Sequence, residues 1–186
     1  MRLWNDYRIN DSGYAAMMRA IAADSVPNLL LMHRSDDWYV EKLLLIPRLF
    51  FTKSIIERRK PLAVTARRAG WVGCNILIGE VPLDGRISVI EDRICILARQ
   101  VRASYERISD LEKVPASVRG WTLDVLRCVR RLPRNFELVD VYGFDKELSR
   151  LHPENQHVRD KIRQQLQVLR DLGLLKFVAP GRYRTN

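Results

Sequence analysis

An α/β unit followed by an α+β winged helix-turn-helix is the architecture that three features of the sequence predict. Two short, solidly apolar runs, "VPNLLLMHR" and "EKLLLIP", lie in the first third of the chain and have the character of sheet strands. The stretch "PENQHVRDKIRQQLQVLRDLG" is amphipathic at helical spacing, and "LLKFVAPGRYRTN" follows it directly as strand, Pro-Gly turn and strand. At 186 residues the chain can hold one ordinary domain or two small ones with a real core.

In chain order, residues 12–24, "SGYAAMMRAIAAD", put Tyr14, Met17, Met18 and Ile21 on one helical face. The two apolar runs read as strands buried on both sides, the second ended by Pro47. Residues 85–98, "GRISVIEDRICILA", alternate enough for another strand, and residues 99–114 carry Val101, Tyr105, Ile108 and Val114 near helical spacing. "KVPASVRG", residues 113–120, is the best linker candidate, which sets the expected domains at 1–116 and 117–186.

Past that linker "WTLDVLRCVRRL" places Leu123, Leu126 and Val129 on one side of a helix, with Pro133 beyond its end. "FELVDVYGFDKELSRL" reads as a second element around Val139, Phe144 and Leu148. The third helix has Val158, Ile162, Leu166 and Leu169 as its core stripe, and Gly173 is a good residue to follow its C-terminus. Three helices closed by a two-stranded hairpin make a winged helix-turn-helix.

Composition narrows the partners. Hydrophobic content of 47% with 29% charged residues excludes a disordered tail, and the net charge of +10 with pI near 9.9 favours nucleic acid or an anionic surface. The basic excess is denser in the C-terminal part. No apolar run approaches the roughly 18 residues of a membrane span, and "MRLWNDYRIN" has no signal-peptide core. Cys74, Cys95 and Cys128 form no C-x-x-C, so a reducing, cytoplasmic compartment is expected.

In a helix-turn-helix the second helix of the motif enters the major groove by its N-terminal end. The expected reading face is Asn155, Gln156, Arg159, Arg163, Gln164 and Gln167, since Asn and Gln pair with adenine and Arg with guanine. Arg182, Tyr183 and Arg184 on the wing suit phosphates or the minor groove. The plain alternative is a solvated helix face with a basic tail. A second basic segment, "RKPLAVTARRAGWVGCNI", follows Arg58 and contains Arg59, Lys60, Arg67 and Arg68 with no acid, two glycines and Trp71. Such a loop repels itself unless an anion lies against it.

Other residues invite simpler readings. Trp4, Tyr7, Trp38 and Tyr39 are expected to be ordinary core or surface aromatics, and Met17 and Met18 core. Cys74 is expected to be a buried thiol. His33, His152 and His157 lack ligand spacing, so no metal is expected on them. The acidic pairs Asp36-Asp37 and Glu91-Asp92 read as solvated turns or strand ends.

The segments "DSGYAAMMRAIAADSVPN", "KPLAVTARRAGWVGCNI", "VPLDGRI", "RGWTLDVLRCV", "HVRDKIRQQLQVLRD" and "GRYR" carry a family resemblance from about residue 10 to the C-terminus. The chain resembles the DpnI-type methyl-directed restriction endonucleases, or Dam-replacing proteins, bacterial enzymes that cut adenine-methylated GATC. The resemblance implies a partial PD-(D/E)xK nuclease-like fold followed by a winged helix, both binding methylated double-stranded DNA. It points to Arg67, Arg68 and Trp71 as readers of the methylated adenine.

The family's nuclease uses an Asp and an E-x-K to hold Mg2+, and carries a zinc site of paired C-x-x-C motifs; both precede the segment that begins at Asp11. This chain has no E-x-K and no paired C-x-x-C. If Arg2-Leu3-Trp4 occupies the E-x-K strand, acid and lysine are both gone. The expectation is therefore methyl-dependent DNA binding without cleavage by this chain alone, with no catalytic residue, no Mg2+ and no zinc, and with an exposed apolar sheet edge. The rivals are a winged-helix DNA-binding regulator and a subunit completed by a separate upstream chain.

Overall fold

The computed structural model describes residues 8–185, so the readings of Trp4, Tyr7 and the Arg2-Leu3-Trp4 segment lie outside the described residues. By spatial proximity the chain divides into two compact units, Met1–Ser117 and Val118–Asn186.

The first unit holds β1 (Arg8–Gly13), α1 (Tyr14–Ala22), β2 (Leu29–Arg34), β3 (Val40–Ile46), β4 (Ile56–Arg58), β5 (Gly73–Leu77), β6 (Ile87–Glu91), β7 (Ile94–Cys95) and α2 (Ala98–Ser109). They form two antiparallel sheets, ordered β1-β5-β4 and β2-β3-β6-β7. Ile46, Leu49, Phe50, Ile55, Ile78, Ile108 and Leu111 are fully buried and form its core. Gly85 is part of that packing, because a Cβ there would stand 2.5 Å from the Phe50 ring.

Three local expectations change. The two apolar runs do form strands, but β2 is an antiparallel edge strand covered on one face, so Leu30 and Met32 are 62% and 58% exposed. The segment 85–98 is a hairpin rather than one strand. Asp92 and Arg93 take φ of 48° and 69°, the paired positive values of a type I′ turn, and Arg93 N–H donates to the Glu41 carbonyl at 3.0 Å. The linker is shorter than expected: a 3₁₀ turn ends at Lys113 and the next helix opens at Ala116.

The second unit is built on α3 (Ala116–Val129), β8 (Asn135–Glu137), α4 (Leu138–Tyr142), α5 (Asp145–Leu151), α6 (Val158–Asp171), β9 (Leu175–Ala179) and β10 (Arg182–Thr185). Leu123, Leu126 and Val129 are buried as expected, and so are Ile162, Leu166 and Leu169 of the α6 stripe. "FELVDVYGFDKELSRL" is not one element. Phe136 is the buried residue of a strand, Gly143 separates two short helices, and Val141 is buried while Val139 is 65% exposed. The wing accordingly has three strands in the order β8-β10-β9.

Helix α6 begins at Val158, five residues later than "PENQH" suggests. Asn155 accepts the His157 N–H at 2.8 Å through Oδ1, closing an Asx turn that competes with helix. At the other end Gly173 (φ 70°) donates to Arg170 and Leu174 N–H donates to Leu169, both at 2.9 Å, which is a Schellman stop. Among the described residues no helix is long and apolar enough to cross a membrane.

Candidate nucleic-acid interface

In the first unit the basic segment is a long excursion between β4 and β5, and backbone bonds hold its base together. Arg59 N–H donates to Gly73 at 3.0 Å, Leu62 to Trp71 at 2.9 Å, and Gly70 (φ 77°) to Leu62 at 3.1 Å. Tyr14 N–H donates to the Val72 carbonyl at 3.0 Å, which ties the start of α1 to the same loop. Arg67 and Arg68 are exposed at its turn, while Trp71 is half-buried. The Arg68 guanidinium lies 5.0 Å from the centre of the Trp71 ring.

Trp71 also lines a shallow cleft with Tyr14, Ala16, Arg19, Arg58 and Val72. Arg58 lies 5.7 Å over the Tyr14 ring. Among the described residues, Arg19, Arg58, Arg59, Lys60, Arg67 and Arg68 have no ion-pair partner. A group of like charges left uncompensated around two aromatic rings raises local potential and favours an anion. Beneath the loop Cys74 is buried, as expected. Its thiol donates to the Ser12 carbonyl at 3.3 Å, and burial raises its pKa.

The second unit presents the N-terminal half of α6. Arg159, Arg163, Gln164 and Gln167 are exposed there, while Asn155 and Gln156 lie in the preceding turn. These arginines are engaged within the unit. Arg159 pairs with Asp145 at 3.1 Å and lies 5.1 Å over Tyr142, and Arg163 pairs with Asp160 and donates to the Tyr142 hydroxyl at 3.2 Å. Gln164 accepts from Lys161 at 2.8 Å.

On the wing, strand alternation parts Tyr183 from its neighbours. Arg182 and Arg184 are exposed, and Arg182 pairs with Glu137 at 3.1 Å. Tyr183 turns to the other face, stacked on Phe136 at 5.5 Å and edge-on to Phe177 at 5.9 Å, and burial raises its pKa. Tyr142, which orders both α6 arginines, was not legible from spacing. Nor were Tyr14, Arg19 and Arg58 as cleft residues, since Tyr14 reads as a core position of α1.

Among the described residues no group of three or more His, Cys, Asp or Glu side chains could hold a metal ion. Asp36 and Asp37 lie in a turn, Glu91 ends β6, and Lys42 takes Glu91 as its partner.

A winged helix whose α6 is basic, with a first unit whose loop carries cations that have no ion-pair partner among the described residues, fits a DNA-binding protein. Residues 5–114 match the model of the Dam-replacing family, and residues 117–185 match that of the Dam-replacing HTH domain. The chain therefore belongs to the Dam-replacing family, the DpnI type of restriction endonuclease.

Proposed function

We propose that the chain binds double-stranded DNA containing adenine-methylated GATC, and that Trp71 meets the methyl group. The observation that carries this reading is the half-buried indole on the acid-free loop, standing in a cleft among cations that have no acidic partner among the described residues. An N6-methyl group is apolar, so its burial against an indole contributes about 0.8 kcal/mol, about fourfold in affinity per methyl. Arg58, Arg67 and Arg68 supply phosphate contacts that hold the duplex without reading it. In the second unit Arg159, Arg163, Gln164 and Gln167 offer base-edge contacts, Asn155 and Gln156 approach from the turn, and Arg182 and Arg184 take the backbone. Tyr183 supports the wing from its inner face.

Binding without cleavage is the activity assigned, on the ground that the sequence contains no E-x-K motif of the family's nuclease. The test is a titration of the chain on two duplexes that differ only in GATC methylation, with magnesium present and each sample also run on a denaturing gel. Tight, methyl-dependent binding with intact strands is expected. Strand cleavage would overturn the binding-only assignment, and equal affinity for both duplexes would leave a winged-helix DNA-binding protein with no methyl readout.

A further inference from the structure

Gly13 and Gly73 are partners at the end of the β1–β5 ladder, where the chain turns into α1. The Trp71 ring lies across this pair. A Cβ on Gly73 would stand 2.8 Å and 2.9 Å from Cζ3 and Cη2 of the indole, and a Cβ on Gly13 would stand 3.4 Å from Nε1. The first two distances are closer than carbon atoms can approach, so no other residue fits at 73 with the ring where it is.

Neither backbone demands glycine. The positive-φ glycines among the described residues are Gly70, Gly173 and Gly181, and Gly13 has an ordinary extended conformation at φ −64°. A strand glycine gives up β propensity and side-chain packing, so its presence needs another reason. At Gly73 the visible reason is room for the indole. The same point is 3.5 Å from Arg59 Cδ, which closes that side as well.

The geometry points to Gly73 as a positioning residue for methyl readout: it sets how deep the Trp71 edge sits in the cleft walled by Tyr14 and Arg58. This rests on the reading of Trp71 as the methyl contact. With a side chain at 73 the sheet blocks the ring's present seat, and the benzo edge must move outward into the space a base edge would take. Of the cations proposed to hold phosphate, Arg68 stacks on the indole at 5.0 Å, while Arg58 lies over Tyr14 instead. Gly73 therefore governs the preference for methylated DNA more than general DNA affinity.

The experiment measures affinity of the full chain for the methylated and unmethylated GATC duplexes with four proteins: unaltered, Trp71→Ala, Gly73→Ala and Gly13→Val. The last pushes on the Nε1 end of the ring from an edge strand, where the risk to folding is small. Acrylamide quenching of Gly73→Ala, compared with the same change in a Trp71→Phe background, isolates this one indole. Expected are a several-fold methyl preference in the unaltered chain, its loss in Trp71→Ala and Gly73→Ala, and its reduction in Gly13→Val. In each variant affinity for the methylated duplex should fall more than affinity for the unmethylated one, with stronger quenching of Trp71 in Gly73→Ala. If the unaltered chain shows no preference, the reading of Trp71 fails and takes this inference with it. If Trp71→Ala abolishes the preference while Gly73→Ala and Gly13→Val keep it, the positioning role is overturned and the reading of Trp71 stands. If Gly73→Ala does not fold, Gly13→Val alone decides, and an unchanged preference there refutes the role.

Discussion

His152 reaches Asp124 across the winged-helix unit, its Nε2–H donating to Oδ2 at 2.8 Å, while its ring stacks on Trp121 at 3.9 Å. Asp124 and Trp121 belong to α3, and His152 closes α5. The pair thus anchors the turn that leads into α6. Asp124 is buried, and losing one hydrogen bond to its carboxylate costs about 1–3 kcal/mol. His152→Ala should lower stability by that amount in urea unfolding, and His152→Phe should recover the part due to stacking. Equal loss in both variants would assign the whole effect to the hydrogen bond.

The sequence made the second unit legible because long helices carry strong periodicity: the Ile162, Leu166 and Leu169 stripe and the Gly173 stop both occur as read. The short elements were not legible. Phe136 and Val141 lie in segments of three and five residues, too brief for any period to show. In the first unit "LLLM" reads as buried on both sides, yet edge position decides exposure and no local pattern encodes it. The basic loop stood out because a cluster of like charges without acids is visible in one dimension. Tyr14, Arg19 and Arg58 join Trp71 only through folding.

Salt dependence separates phosphate contacts from passive surface charge. Removing one cation that touches a phosphate should reduce the slope of log affinity against log salt by about 0.9. Arg58→Ala, Arg67→Ala and Arg68→Ala are each expected to show that reduction, since none has an ion-pair partner among the described residues to give up on binding. Unchanged slopes in all three would remove the loop from the DNA interface.

Gly120 and Gly85 predict opposite outcomes for the same change. Gly120 lies inside α3 and a Cβ there meets nothing within 4 Å, so Gly120→Ala should stabilise by about 0.5–1 kcal/mol. Gly85→Ala drives a methyl into the buried Phe50 ring and should destabilise by about 1–3 kcal/mol or more. Thermal melts of the two variants check both signs.

Cys128 is fully buried in α3, and burial pushes its pKa from the ordinary 9.0 up to about 12. Between those values the unfolded chain loses the thiol proton while the folded chain keeps it. Folding is then opposed as pH rises, so the stability present below pH 9 falls through the window from about 9 to 12. Cys128→Ala should flatten that decline relative to the unaltered chain in urea unfolding at successive pH values. The exposed Cys95 should react rapidly with a thiol reagent in the native protein, while Cys74 and Cys128 wait for unfolding.

On α6 the arginines expected to meet bases are held by their own unit, and this gives a prediction that runs against simple charge removal. Arg163 pairs with Asp160 and donates to the Tyr142 hydroxyl, while Arg159 is shared between Asp145 and the Tyr142 ring. Both acids are near the surface, so each pair is worth at most about 1 kcal/mol and yields readily to a better acceptor. Asp160→Asn frees Arg163 and removes a charge that repels phosphate, so it should tighten DNA binding, whereas Arg163→Ala should weaken it by about 1–3 kcal/mol. Tyr142→Phe keeps the ring under Arg159 and deletes the contact to Arg163. It should loosen discrimination between duplexes of different sequence more than it changes overall affinity. Competition binding against duplexes with single base-pair changes reads this directly, and tighter binding by Arg163→Ala would exclude that arginine from the interface.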